Sequence, residues 1–140
     1  MIIKIFIFSL LIKSIAGNSP HYGDNQIVTL LNNHFNVIKG ENKLLGHYFY
    51  KNKDKVIFQI EIETDKYNMN DDMFFSFDII SQLTNVSKRN FTHAIVIMHF
   101  KINALPIITK VELACSNKYF IDNEYSKYQW RKNCLFIQNN

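Results

Sequence analysis

Five histidines are the residues best placed to do chemistry in this chain: His21, His34, His47, His93 and His99. Neutral imidazole can ligate a metal or pass a proton at neutral pH. Neither use finds support in the spacing. His93 and His99 are six residues apart in a segment that reads as a strand. They share a face but sit about 20 Å apart at ~3.3 Å per residue, too far to hold one ion. An acid/base pair of the ribonuclease kind needs two histidines brought together by the fold, plus a lysine. No Gly-x-Ser-x-Gly, phosphate loop or paired Cys/His motif occurs. The adjacent Asp71 and Asp72 read as a helix cap rather than an acid and its base. The sequence therefore nominates no catalytic residue, no metal and no cofactor.

Two cysteines, Cys115 and Cys134, permit one intramolecular bridge. It would close a loop of roughly 20 residues and contribute about 3 kcal/mol. Two buried thiols are the alternative. A zinc site lacks further ligands at the right spacing. Near Cys134, Tyr128, Trp130, Arg131 and Lys132 mix aromatic and basic groups, a composition that can stack on a sugar or bind a sulfated glycan. On a strand, however, Arg131 would point away from Trp130 and Lys132. The patch then works only if residues 125–132 form a loop; otherwise Trp130 packs in the core beside the disulfide. Asn85-Val86-Ser87 and Asn90-Phe91-Thr92 are N-glycosylation sequons, making Asn85 and Asn90 candidate glycan carriers. A chain this rich in asparagine yields such triplets by chance, so only their shared location between a helix and a strand is informative.

What must position these residues begins after a secretory leader. Lys4, the apolar run Ile5 to Ile12 and the small residues Ser14 and Ala16 read as a signal peptide over residues 1–16. The run is too short to span a bilayer. Residues 17–140 are then expected as one secreted domain, extracellular, or periplasmic in a bacterium. The formal charge of +4 falls by two when Lys4 and Lys13 leave, which is too weak to argue for nucleic acid.

Ile27, Leu30, Leu31, Phe35 and Ile38 recur at helical spacing, ending at Gly40. Leu44 to Lys51 and Val56 to Glu63 read as a hairpin, the second strand alternating cleanly between Val56, Phe58, Ile60, Ile62 and polar neighbours. A second helix is expected from Asp71 or Asp72, with Phe74, Phe77, Ile79, Ile80 and Leu83 inward. Thr92 to Asn103 and Ile107 to Cys115 read as further strands, with Val96, Met98, Phe100, Val111 and Leu113 in the core. A long polar connection from Asn117 to Lys127 leads to a final strand from Gln129 to Gln138. The fold class is α+β: an antiparallel sheet of about five strands with two helices on one face. Short matches between the halves suggest a duplicated helix–strand–strand unit, as in Ile60-Glu61-Ile62 against Val111-Glu112-Leu113.

Residues 77–136 resemble the cystatins. The resemblance rests on the helix Phe77 to Leu83, on Val111-Glu112-Leu113 followed by Cys115, and on Arg131-Lys132-Asn133-Cys134-Leu135-Phe136. It implies a helix across an antiparallel sheet and an inhibitor-like role. The hairpin that carries Gln-x-Val-x-Gly in that family reads Ile102-Asn103-Ala104-Leu105-Pro106 here. Only two of the usual four cysteines are present, and the family's bridges would not join these two. The functional expectation is a small secreted binding protein, a cystatin-like inhibitor or host-interaction factor. Its partner would be a protein, with a glycan also compatible. The alternative is a small nuclease-like hydrolase using two of the histidines.

Overall fold

The computed structural model describes residues 21–37 and 43–138. The signal-peptide reading of residues 1–16 lies outside them, as do Ile38 and Gly40. The order is α1 (Asp24–Val37), β1 (Lys43–Asn52), β2 (Lys55–Thr64), α2 (Met69–Asn85), β3 (His93–Phe100), β4 (Ile107–Glu112), α3 (Leu113–Phe120), α4 (Lys127–Asn133) and β5 (Phe136–Gln138). The fold is mixed α+β. Among the described residues five strands form one open sheet in the order β1-β2-β3-β4-β5. Three of the four neighbouring pairs are antiparallel, and the central pair β2/β3 is parallel. Strands that pair side by side in parallel cannot be joined by a tight turn; α2 supplies the crossover.

Period-two alternation sets which residues face the helices. Phe58, Ile60 and Ile62 on β2, Ala94, Val96 and Met98 on β3, and Val111 on β4 are buried on one face. The register expected for Val96, Met98 and Val111 holds; Leu113 is buried as the first residue of α3, and Phe100 is only half-buried. Ile27, Leu31 and Phe35 of α1 complete the same core. α2 packs against α1, against the sheet and against α3, which is why its apolar residues do not keep to one stripe. Met73, Phe75, Phe77, Ile79, Ile80 and Leu83 are all buried.

Helix α2 starts earlier than expected, and neither Asp71 nor Asp72 caps it. The preceding turn is organised by Asp65, whose carboxylate accepts from the backbone N–H of Tyr67 and Asn68. Asp72 is buried and accepts from the Thr64 hydroxyl at 2.5 Å.

The C-terminal third differs most from the sequence reading. Residues 113–120 are helix rather than strand end and polar link, and residues 127–133 are helix rather than strand; only Phe136–Gln138 pairs with β4. Helix α4 is started by a capping box. The Ser126 hydroxyl accepts from Gln129 N–H and the Gln129 side chain accepts from Ser126 N–H. Cys115 and Cys134 are disulfide-bonded with Cα atoms 5.6 Å apart. They clamp α3 to the end of α4 instead of bridging two strands.

The α–β–β order does recur. But β1 and β3 run in opposite directions while both helices lie on one face, so no single rotation carries one unit onto the other.

Candidate functional site

Trp130, named above with the basic patch, is fully buried. Its indole N–H donates to the Ser116 hydroxyl at 2.8 Å. Phe74, Phe77, Tyr119 and Phe120 ring it at centroid distances of 5.3–6.5 Å. Helix periodicity does this: Trp130 takes the inward position of α4 and leaves Tyr128 and Lys132 exposed and Arg131 half-buried. Trp130 therefore takes no part in a surface, while Tyr128, Arg131 and Lys132, at positions i, i+3 and i+4, remain neighbours on the outside of α4. Trp130 leaves the candidate binding set and joins the core.

The histidines are dispersed. His34 is buried and stacked on Phe75 at 5.2 Å, and burial lowers its pKa to about 4. His47 lies at the sheet edge near Phe49. His93 Nδ1 is 2.8 Å from the Thr92 hydroxyl, which also accepts from Val56 N–H. His99 Nε2 sits 2.6 Å from a Glu61 carboxylate oxygen. That carboxylate also accepts from the Tyr48 hydroxyl, an arrangement that raises the Tyr48 pKa. Tyr48, Glu61 and His99 thus form one polar chain across β1, β2 and β3. Among the described residues no group of three or more His, Cys, Asp or Glu is arranged to hold a metal.

Asn85 and Asn90 are both exposed and line one depression of about 380 Å³ with His21, Lys88 and Asn117. The hydroxyls of their sequons are occupied: Ser87 accepts from Arg89 N–H, and Thr92 bonds as above. A second depression of about 500 Å³ adjoins it at Lys55, His93 and Glu112.

Two surfaces expose apolar side chains where solvent would favour polar ones. The first is the β3–β4 connection, residues 101–106. Ile102 is 82% exposed and Leu105 66% exposed there, and Pro106 leads into β4. The second is the sheet face opposite the helices. Among the described residues no helix covers Tyr48, Ile95, Ile97, Ile108 or Phe136, which lie on the face opposite Val96 and Met98. The β3–β4 loop rises from one end of that face, just past His99.

Sequence reasoning read these residues as strand and turn, with residues 102–106 also matched to the motif-bearing hairpin of the cystatins. The signal for the loop was present: two large aliphatics between two strands, where a turn usually carries Gly, Asn, Asp or Ser. The signal for the face was Ile95 and Ile97 alternating with the buried Val96 and Met98, which made β3 apolar on both sides.

No family model, curated protein or solved structure matches this chain. Among the described residues no helix is long and apolar enough to cross a membrane.

Proposed function

We propose that this is a secreted, disulfide-braced binding protein that engages a protein partner through the β3–β4 loop. The observation that carries the reading is the exposure of Ile102 and Leu105 at the tip of a hairpin. Exposed aliphatic side chains on a short loop held by a rigid sheet are the usual build of a contact loop. Burying each against a partner would remove apolar area worth roughly 1.5–3 kcal/mol per side chain. Secretion is supported by the apolar leader with small residues at its end and by the Cys115–Cys134 bond. On the same route Asn85 and Asn90 are available to carry glycans.

The cystatin resemblance points to the same loop, although residues 113–115 and 131–133, which it reads as strand, are helical here. The sequence Ile102-Asn103-Ala104-Leu105-Pro106 lacks that family's inhibitory residues, so the target class is not carried over with it. Partner capture by the mature, oxidised chain tests the reading. Ile102→Asp with Leu105→Asp should abolish capture while leaving far-UV circular dichroism unchanged. Tyr67→Asp is the control, since Tyr67 is 93% exposed on a different loop and should capture normally. Equal capture by the loop variant and the wild type would discard this surface.

A further inference from the structure

Asn90 stands where the two depressions join. It borders both, as do Phe91, Leu113 and Asn117, so the hollows form one trough around it. Asn85, at the end of α2, borders only the first. The rest of the Asn90 sequon is pinned. Phe91 is buried against Phe49 and Phe58 at centroid distances of 5.2 and 5.1 Å. The Thr92 hydroxyl accepts from Val56 N–H at 2.9 Å. A group attached to Asn90 is therefore carried on a fixed base beside the hollow of about 500 Å³.

The lining says what kind of occupant fits. Lys55 and Lys88 offset Asp54 and Glu112, and Arg89 is paired with Asp24. No net charge selects an ionic ligand. Amide, carboxylate and ammonium groups side by side suit a neutral molecule rich in hydroxyl and N–H groups, which is the chemistry of a sugar. Asn117 adds an acceptor in need of a donor. Its Oδ1 is shut off from solvent and has no hydrogen-bond partner among the described residues. An acceptor left unmade in that way is costly. The last torsion of an asparagine is soft, so the amide can turn into the trough.

We infer that the trough seats the first sugar of a glycan linked to Asn90, with its acetamido N–H donating to Asn117 Oδ1. The inference rests on the secretion proposed for this chain, because that route supplies the glycan. Asn90 Nδ2 bonds to the anomeric carbon of an oligosaccharide and gives up a proton, and the lipid diphosphate that carried the sugar leaves. Transfer takes place on the unfolded chain, so the Thr92 hydroxyl is free at that moment and engaged only afterwards. One sugar binds a protein surface weakly. A short covalent link presents it at an effective concentration on the order of millimolar, which is enough to keep a weak seat filled.

The test uses the chain secreted from mannosidase-inhibited eukaryotic cells. Intact mass should show sugar on Asn90. Endoglycosidase H, which leaves one N-acetylglucosamine, should not change the melting temperature. Asn90→Gln should lower it by roughly 2–5 °C, the shift expected for about one hydrogen bond in a domain of this size. Asn85→Gln should leave it unchanged. In an Asn117→Leu background the Asn90→Gln loss should disappear, since coupled groups do not add. The comparison of Asn85→Gln with Asn90→Gln stands by itself if Asn117→Leu does not fold. Secreted protein without sugar on Asn90 overturns the inference. So does an Asn90→Gln protein as stable as the wild type, an equal loss in Asn85→Gln, or a loss that survives Asn117→Leu. A chain that never leaves the cells defeats the secreted reading, and the seat falls with it. Partner capture through Ile102 and Leu105 is read separately, because that loop follows the far end of β3.

Discussion

Asp78 sits on α2 against α3, buried, with one weak contact from the Gln82 side chain at 3.4 Å. Gln82 itself is anchored to the Phe120 carbonyl at 3.2 Å. Burial raises the Asp78 pKa to about 6, and the Gln82 contact offsets only part of that. An unfolded aspartate titrates near 3.9. A folded-state pKa raised above the unfolded one means that the folded protein holds the proton more tightly. Stability is then greatest at low pH and falls as pH rises through this window. About two pKa units at ~1.36 kcal/mol each give a penalty of roughly 3 kcal/mol, complete above pH 7.

Asp78→Asn keeps the shape and an acceptor for Gln82 but never ionises. It should be more stable than wild type by about 3 kcal/mol at pH 7.5, by about half that at pH 5 and by nearly nothing at pH 3.5. Urea denaturation of both proteins at those three pH values measures the difference. Other titrating groups act equally in both chains and cancel. A difference that does not change with pH would refute the reasoning, and so would a variant less stable than wild type at pH 7.5.

His34 acts with the opposite sign. Its folded pKa of about 4 lies below the ordinary ~6.5, so the unfolded chain binds the proton first and stability falls as pH drops from 6.5 to 4. His34→Phe, which keeps a ring against Phe75, should remove about 3 kcal/mol of that acid loss, read as a flatter stability curve over the same range. Reducing Cys115–Cys134, or replacing both with serine, should lower stability by about 3 kcal/mol without abolishing the fold. Intact mass after alkylation with and without reductant reports the bond, and two alkylated thiols in the native protein would exclude it. Ser116→Ala should cost about 1–3 kcal/mol by leaving the buried Trp130 N–H without its acceptor; an unchanged urea midpoint would mean that the bond contributes nothing. Arg131→Ala with Lys132→Ala should elute from heparin within the small shift expected for two lost surface charges. A collapse of retention would restore the basic patch as a binding surface.

Much of the framework could be read from local pattern. The alternation Phe58, Ile60, Ile62 fixes a strand with one buried face. The spacing Ile27, Leu31, Phe35 fixes an amphipathic helix, because side-chain direction follows backbone period in each case. The even cysteine count, with one possible intramolecular pairing, named the bridge. Even α4 had its mark in Ser126 and Gln129, three residues apart. The β-forming Tyr128 and Trp130 between and after them point locally to strand instead.

Other features belonged to the tertiary structure alone. Strand direction leaves no trace in a period-two pattern, so the parallel β2/β3 pair emerged only with α2 crossing between them. Residues 113–120 fit strand and helix periods alike, since Leu113 and Cys115 alternate while Leu113, Ser116 and Phe120 keep helical spacing. The aromatic cage around Trp130 and the Cys115–Cys134 bond decide for helix, because only that geometry brings Ser116 to the indole. The row Tyr48, Gln59, Ile95, Lys110, Phe136 collects residues from five strands up to 88 positions apart. Their neighbourhood is a property of register, which the chain acquires only when the sheet closes over its core.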